Sequence, residues 1–170
     1  MKNIKYQYFV EGEDEKKLLN TLKNQLGFIQ TGKVQVLNVV QNKFPDAILR
    51  TLTNGTVIVL VFDTDTGNAE ILNKNIKVLN KCPFISKVIT VPQVKNLEDE
   101  LVRSCDIKCI TELLNSRSKK DFKSDFIHIT NLDSKLKEKK FDIEQFWNTQ
   151  PEPPYQHIAN EASQIKIHTK

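Results

Sequence analysis

Apolar and polar positions in the first ninety residues alternate between a strand period and a helix period. Lys5–Val10 is a β-rich run that closes on Glu11-Gly12. Over residues 14–26, Leu18, Leu19, Leu22 and Leu26 fall on one helical stripe, with Gly27 where a C-terminal cap belongs. Val34–Val40 reads as a second strand, followed by a short helix from about Pro45 to Leu52 in which Pro45 suits the first turn. Thr56–Phe62 is apolar at every position but the first, the pattern of a strand covered on both faces. A third helix over 68–81 points Ile71, Leu72, Ile76 and Leu79 inward, and Phe84–Val91 is a fourth strand. This alternation predicts an α/β fold, a four-stranded parallel sheet with helices on both sides and right-handed crossovers.

Beyond Val91 the strand pattern ends. Helices are expected at about 97–115, 118–127 and 131–148, with room for a short strand at Phe126–Ile129. Residues 1–148 read as one domain with a helical C-terminal part. Residues 149–170, with Pro151, Pro153 and Pro154, read as an extended or mobile tail.

Composition narrows the class. The 170 residues are 39% hydrophobic and 27% charged, the balance of a globular chain. The longest apolar run, Val57–Phe62, falls far short of the ~20 residues of a membrane span. No secretory hydrophobic segment follows Met1, and three cysteines make no disulfide framework, so a cytoplasmic protein is expected. The net charge is only +4, but residues 103–140 hold ten basic and six acidic side chains and so carry the whole excess. Such a concentration attracts phosphates, although a solvated helical face has the same composition.

Ligands of parallel α/β sheets gather at the carboxyl ends of the strands, and acidic residues cluster there. The first strand ends at Glu11, ahead of Glu13, Asp14 and Glu15. The third ends at Asp63-Thr64-Asp65, and the fourth leads into Asn96-Leu97-Glu98-Asp99-Glu100. One such Asp is ordinarily a helix cap, and the 13–15 trio also complements a helix dipole. Their convergence on one sheet edge is what a hard divalent cation, Mg²⁺ or Mn²⁺, requires.

Glu11-Gly12-Glu13-Asp14-Glu15 ahead of a helix resembles the opening motif of Toprim domains, found in topoisomerases, DnaG-type primases, RNase M5 and OLD-type nucleases. Asp63-Thr64-Asp65 after an apolar strand resembles that family's Asp-x-Asp motif, and the spacing of about fifty residues agrees. Glu at the fifth position of the first motif, and Asn96-x-Glu98 after the fourth strand, look closest to OLD-type nucleases. The resemblance covers roughly residues 5–127 and implies a Rossmann-like Toprim fold acting as a metal-dependent nuclease on DNA or RNA. It implies acid–base chemistry or metal binding for Glu11 and metal binding for Asp63 and Asp65. Glu15 and Glu98 would complete a second metal site, two ions roughly 3.5–4 Å apart serving an in-line phosphoryl displacement. It also implies a lysine near the scissile phosphate, with Lys123 the first choice and Lys120 the second.

The chain departs from the family in its surroundings. It has no Gly-x-x-x-x-Gly-Lys-Ser/Thr loop, so any nucleotide control would come from a separate ATPase subunit. The topoisomerase tyrosine region and the primase zinc region are also missing, which implies a stand-alone module. Two other readings stay open. One is a non-catalytic Toprim-shaped subunit that binds nucleic acid or protein. The other is a haloacid-dehalogenase-like phosphatase with Asp63 as nucleophile and Asp65 as acid–base, although Gly67 stands where that motif wants Thr or Val. Cys105 and Cys109 read as buried thiols, since no second pair completes a zinc site. His128, His157 and His168 read as surface or packing residues. Phe141, Phe146 and Trp147 are expected to pack a last helix on the sheet, and Pro151–Tyr155 belongs to the tail.

Overall fold

A computed structural model describes residues 4–168. Its sheet consists of β1 (Lys5–Val10), β2 (Gly32–Val36), β3 (Thr56–Asp63) and β4 (Ile85–Gln93), all parallel, in the order β2-β1-β3-β4. The helices are α1 (Glu13–Asn24), α2 (Asp46–Leu49), α3 (Glu70–Asn80), α4 (Leu97–Ser104), α5 (Lys119–His128) and α6 (Leu132–Glu138), with short 3₁₀ turns at Ile110–Leu113 and Ala162–Gln164. The expected Rossmann-like α/β class is what the chain adopts. Among the described residues no helix is long and apolar enough to cross a membrane.

The alternation of each strand divides the core between two faces. Tyr8, Val10, Val59, Val61 and Val91 face α1, α4, α5 and α6, where Leu18, Leu22, Leu101, Phe126 and Leu136 complete the packing. Phe9, Ile58, Leu60 and Phe62 face Val39, Phe44 and the Leu72–Leu79 side of α3. Strand β3 is buried from Thr56 to Phe62, and Thr56 joins its apolar neighbours by donating its hydroxyl to the Thr53 carbonyl at 2.6 Å. Gly32 is required on β2, because a Cβ there would stand 2.4 Å from the Tyr6 carbonyl oxygen on β1. From β1 the chain moves outward to β2, then returns past β1 to β3 and β4, so the topology switches direction between β1 and β3.

Several expected elements shift. The second strand occupies 32–36 rather than 34–40, and Pro45 is the residue capping α2 rather than part of its first turn. The predicted 97–115 helix stops at Ser104. There the Ser104 carbonyl accepts from the Asp142 N–H at 2.8 Å, and the Asp106 N–H donates to the Lys139 carbonyl at 2.7 Å. These tertiary hydrogen bonds take Cys105 into an extended conformation. The predicted 131–148 helix ends at Glu138, where Lys140 adopts φ 53° and the Phe141 N–H reaches back to the Leu136 carbonyl at 2.9 Å. That is a Schellman termination with lysine in the place glycine commonly takes. Phe126–Ile127 lies inside α5, so the short strand at 126–129 does not form.

The described part of the tail, expected to be extended or mobile, is packed on the domain instead. Tyr155, Ile158, Ala162 and Ile165 are buried. Glu161 clasps the outer edge of β4, its N–H donating to the Thr90 carbonyl at 2.9 Å and its carboxylate accepting from the Thr90 N–H at 3.0 Å. Ile29 and Lys166 form an antiparallel bridge at the far side. Prolines suppress helix and strand but not packing, and the apolar residues that follow them join the core.

Candidate metal centre

The strand ends place the acidic residues at the topological switch. Glu11 follows β1 and Asp63 ends β3, neighbouring strands of the sheet. Gly12 then turns the chain into α1, and its N–H donates to the Glu15 carboxylate at 3.0 Å. A Cβ at Gly12 would lie 2.8 Å from an Asp14 carboxylate oxygen and 3.2 Å from Glu15, so glycine lets these acids fold back over the turn. Thr64 fixes the Asp63-Thr64-Asp65 loop to the segment after β4. Its N–H donates to the Lys95 carbonyl at 3.0 Å, and its hydroxyl accepts from the Lys95 N–H at 3.0 Å. Asn96 caps α4 by accepting from the Asp99 N–H at 3.0 Å, which turns Glu98 toward the centre.

Electrostatics set these residues apart. Burial raises the Glu11 carboxyl to about 7, with the negative charges of Asp65 and Asp14 adding to the rise and hydrogen bonding from Asp63 opposing it. Burial raises Glu15 to about 9, helped by the neighbouring Asp14 and by Asp63. Asp63 rises to about 8, through burial first and then the charges of Glu11, Asp65 and Glu98, against a hydrogen bond from Gln93. One buried oxygen, Glu11 Oε1, has no hydrogen-bond partner among the described residues. An orphaned, desolvated carboxylate oxygen among mutually repelling acids suits a hard cation, so the donor set fits the expected Mg²⁺ or Mn²⁺.

Three of the remaining acids are already engaged, and Asp65 is exposed. Asp63 Oδ1 accepts from Gln93 Nε2 at 2.7 Å, Glu15 is turned onto Gly12, and Glu98 Oε1 lies 3.4 Å from Lys123 Nζ. With the side chains so disposed, no three acidic, histidine or cysteine residues among those described are grouped so that they could hold a metal ion. Metal binding would exchange these internal partners for the ion.

Of the residues expected from the sequence, the charges of Glu11, Asp65 and Glu98 raise Asp63, that of Asp63 raises Glu15, and those of Glu98 and Glu15 raise Lys123, so the six belong to one centre. The Glu98 charge, followed by Asp14 and Glu15, raises the Lys123 ammonium pKa. Lys120 is exposed on α5 and pairs with none of these acids among the described residues. Sequence reasoning passed over Gln93 and treated Asp14 only as part of an acidic trio. Gln93 is register partner to Asp63, is fully buried, and accepts from Trp147 Nε1 at 3.2 Å while donating to Asp63. Its signal was a lone amide directly after the apolar Val91-Pro92 at the end of β4.

Glu100, from the same acidic turn as Glu98, is a structural residue. Its carboxylate accepts from the Val94 N–H at 2.9 Å and the Trp147 N–H at 3.1 Å, with Arg103 Nη2 at 3.0 Å. Cys109 is exposed rather than buried, whereas Cys105 is half-buried. The three histidines lie on the surface and away from the centre, bonded to Ser124, Asn73 and Glu144. No protein-family model, curated protein or solved structure matches the chain.

Proposed function

We propose that the protein is a divalent-metal-dependent phosphodiesterase of Toprim type that cleaves DNA or RNA. The observation carrying this reading is the buried, partnerless Glu11 Oε1 at the switch point, set among Asp63, Glu15, Asp65 and Glu98. Glu11, Asp63 and Asp65 would hold one ion, and Glu15 and Glu98 would assist a second. A bound divalent ion polarises a phosphoryl oxygen and lowers the pKa of a coordinated water. The protein's own groups orient the substrate and move protons. Glu11, with a carboxyl raised to about 7 in the ion-free centre, gives up its proton near neutral pH as an ion takes its place. Lys123, paired with Glu98 at the rim, supplies a cation for a non-bridging phosphate oxygen. The basic 103–140 segment supports contact with the nucleic-acid backbone beyond the reacting group.

The test is cleavage of labelled single-stranded DNA, duplex DNA and RNA with Mg²⁺ or Mn²⁺, comparing wild type with Glu11→Gln and Asp63→Asn. Each substitution is expected to lower the rate by at least ~10²-fold with nucleic-acid affinity largely retained. Cutting unchanged by both would remove the proposed centre. No cutting by wild type alongside salt-sensitive binding would favour the non-catalytic subunit, or one that needs a separate ATPase.

A further inference from the structure

Beside the acidic centre lies a cavity of about 310 Å³. Asn96, Glu98, Asp99 and Val102 line it from α4 and its cap, Lys108–Ile110 from the following segment, and Lys119 and Lys123 from α5. Glu98 and Lys123 are the ion pair of the centre itself, so cavity and centre are continuous. Lys119 and Lys123 lie one helical turn apart on the same face. Lys108 and Lys119 are exposed, and neither takes part in an ion pair among the described residues. Val102 is half-buried and Ile110 buried, which gives the cavity an aliphatic lining next to its cations.

Cations alone would suit a duplex backbone as well as a single strand. The concave shape and aliphatic lining decide between them. A base within a duplex is covered on both faces by its neighbours and has no surface to offer such a lining, whereas an unstacked base does. We propose that this cavity seats one unpaired nucleotide adjoining the cleaved phosphodiester. Lys108 and Lys119 hold its phosphate, and Val102 and Ile110 pack against its base. The substrate class is therefore single-stranded nucleic acid, or a single-stranded end. The position next to the cleaved bond rests on the phosphodiesterase reading, but the binding preference can be read without turnover.

Fluorescence anisotropy in EDTA, with short labelled single strands and blunt duplexes of DNA and of RNA, tests the seat on the full chain. Wild type is expected to prefer single strands. Replacing Lys108 and Lys119 together by alanine should weaken single-strand binding about ten-fold and flatten its salt dependence. Cys109→Trp fills the cavity without changing its charge and should weaken single-strand binding while sparing duplex binding. Saturating single strand should also slow alkylation of the exposed Cys109 in wild type. Equal losses for single strand and duplex in both variants, or unprotected Cys109, would overturn the proposal. Binding of the expected pattern without cleavage would count against the phosphodiesterase reading of the chain acting alone and keep the seat. Cleavage with strand preference unchanged by either variant would do the reverse.

Discussion

Glu11, Asp63 and Glu100 are all withdrawn from water, but with different compensation. Glu100 receives two peptide N–H groups and a guanidinium, enough to make a buried carboxylate a structural tie. Glu11 has an oxygen with nothing opposite, and Asp63 has one amide set against the repulsion of three other acids. The consequence is a stability that depends on pH. Glu11, Glu15 and Asp63 hold protons more tightly in the fold than in the unfolded chain, because their carboxyls are raised to about 7, 9 and 8. Their relative contribution is therefore complete below the ordinary carboxylate range and is lost as pH climbs through 7 to 9. In EDTA the melting temperature should fall between pH 5 and 9. Asp63→Asn should flatten that fall by on the order of 2 kcal/mol at the alkaline end, roughly 4–8 °C. Millimolar Mg²⁺ should restore wild-type stability at alkaline pH and leave Asp63→Asn less affected. A wild-type melting temperature independent of pH and Mg²⁺ would remove the electrostatic account of the centre.

At the scale of elements, legibility followed locality. Strands β1 and β3 and helices α1, α3 and α5 were readable because their period, caps and lengths are set by adjacent residues, such as the Leu18-Leu19-Leu22 stripe. The end of α4 was not, because residues far along the chain, Asp142 and Lys139, decide it, and that of α6 was not, because Lys140 takes the place a glycine would mark. The tail was misread for the opposite reason: its prolines are conspicuous, and its apolar residues have no period to give them away. Tyr155, Ile158 and Ile165 each contribute about 1.5–3 kcal/mol on burial. Ending the chain after Asn148 should therefore lower the unfolding free energy by roughly several kcal/mol, read as a lower urea midpoint, and it uncovers the β4 edge that Glu161 now covers. An unpaired edge invites pairing with another chain, so the shortened protein should also elute as larger species in size-exclusion chromatography. Unchanged unfolding and elution would mean that the tail's packing is dispensable.

For the molecule as a whole, the acids that could be read from the chain are those at strand ends, where topology alone brings Glu11 and Asp63 side by side. Their support could not be read. Gln93 acts through its register with Asp63, and Trp147 arrives from an irregular segment expected to be helical. The sheet thus links the chain's single tryptophan to the acidic centre in two hydrogen bonds, Trp147 to Gln93 at 3.2 Å and Gln93 to Asp63 at 2.7 Å. An ion drawing Asp63 away from Gln93 would loosen the amide, and the amide would release the indole N–H. The molecule therefore contains its own optical gauge. Adding Mg²⁺ or Mn²⁺ should alter the emission of Trp147 along a saturable curve, and Gln93→Leu should abolish that response while ion binding, followed by calorimetry, persists. Occupancy of the centre could then be watched in unlabelled protein through a side chain that touches none of its acids.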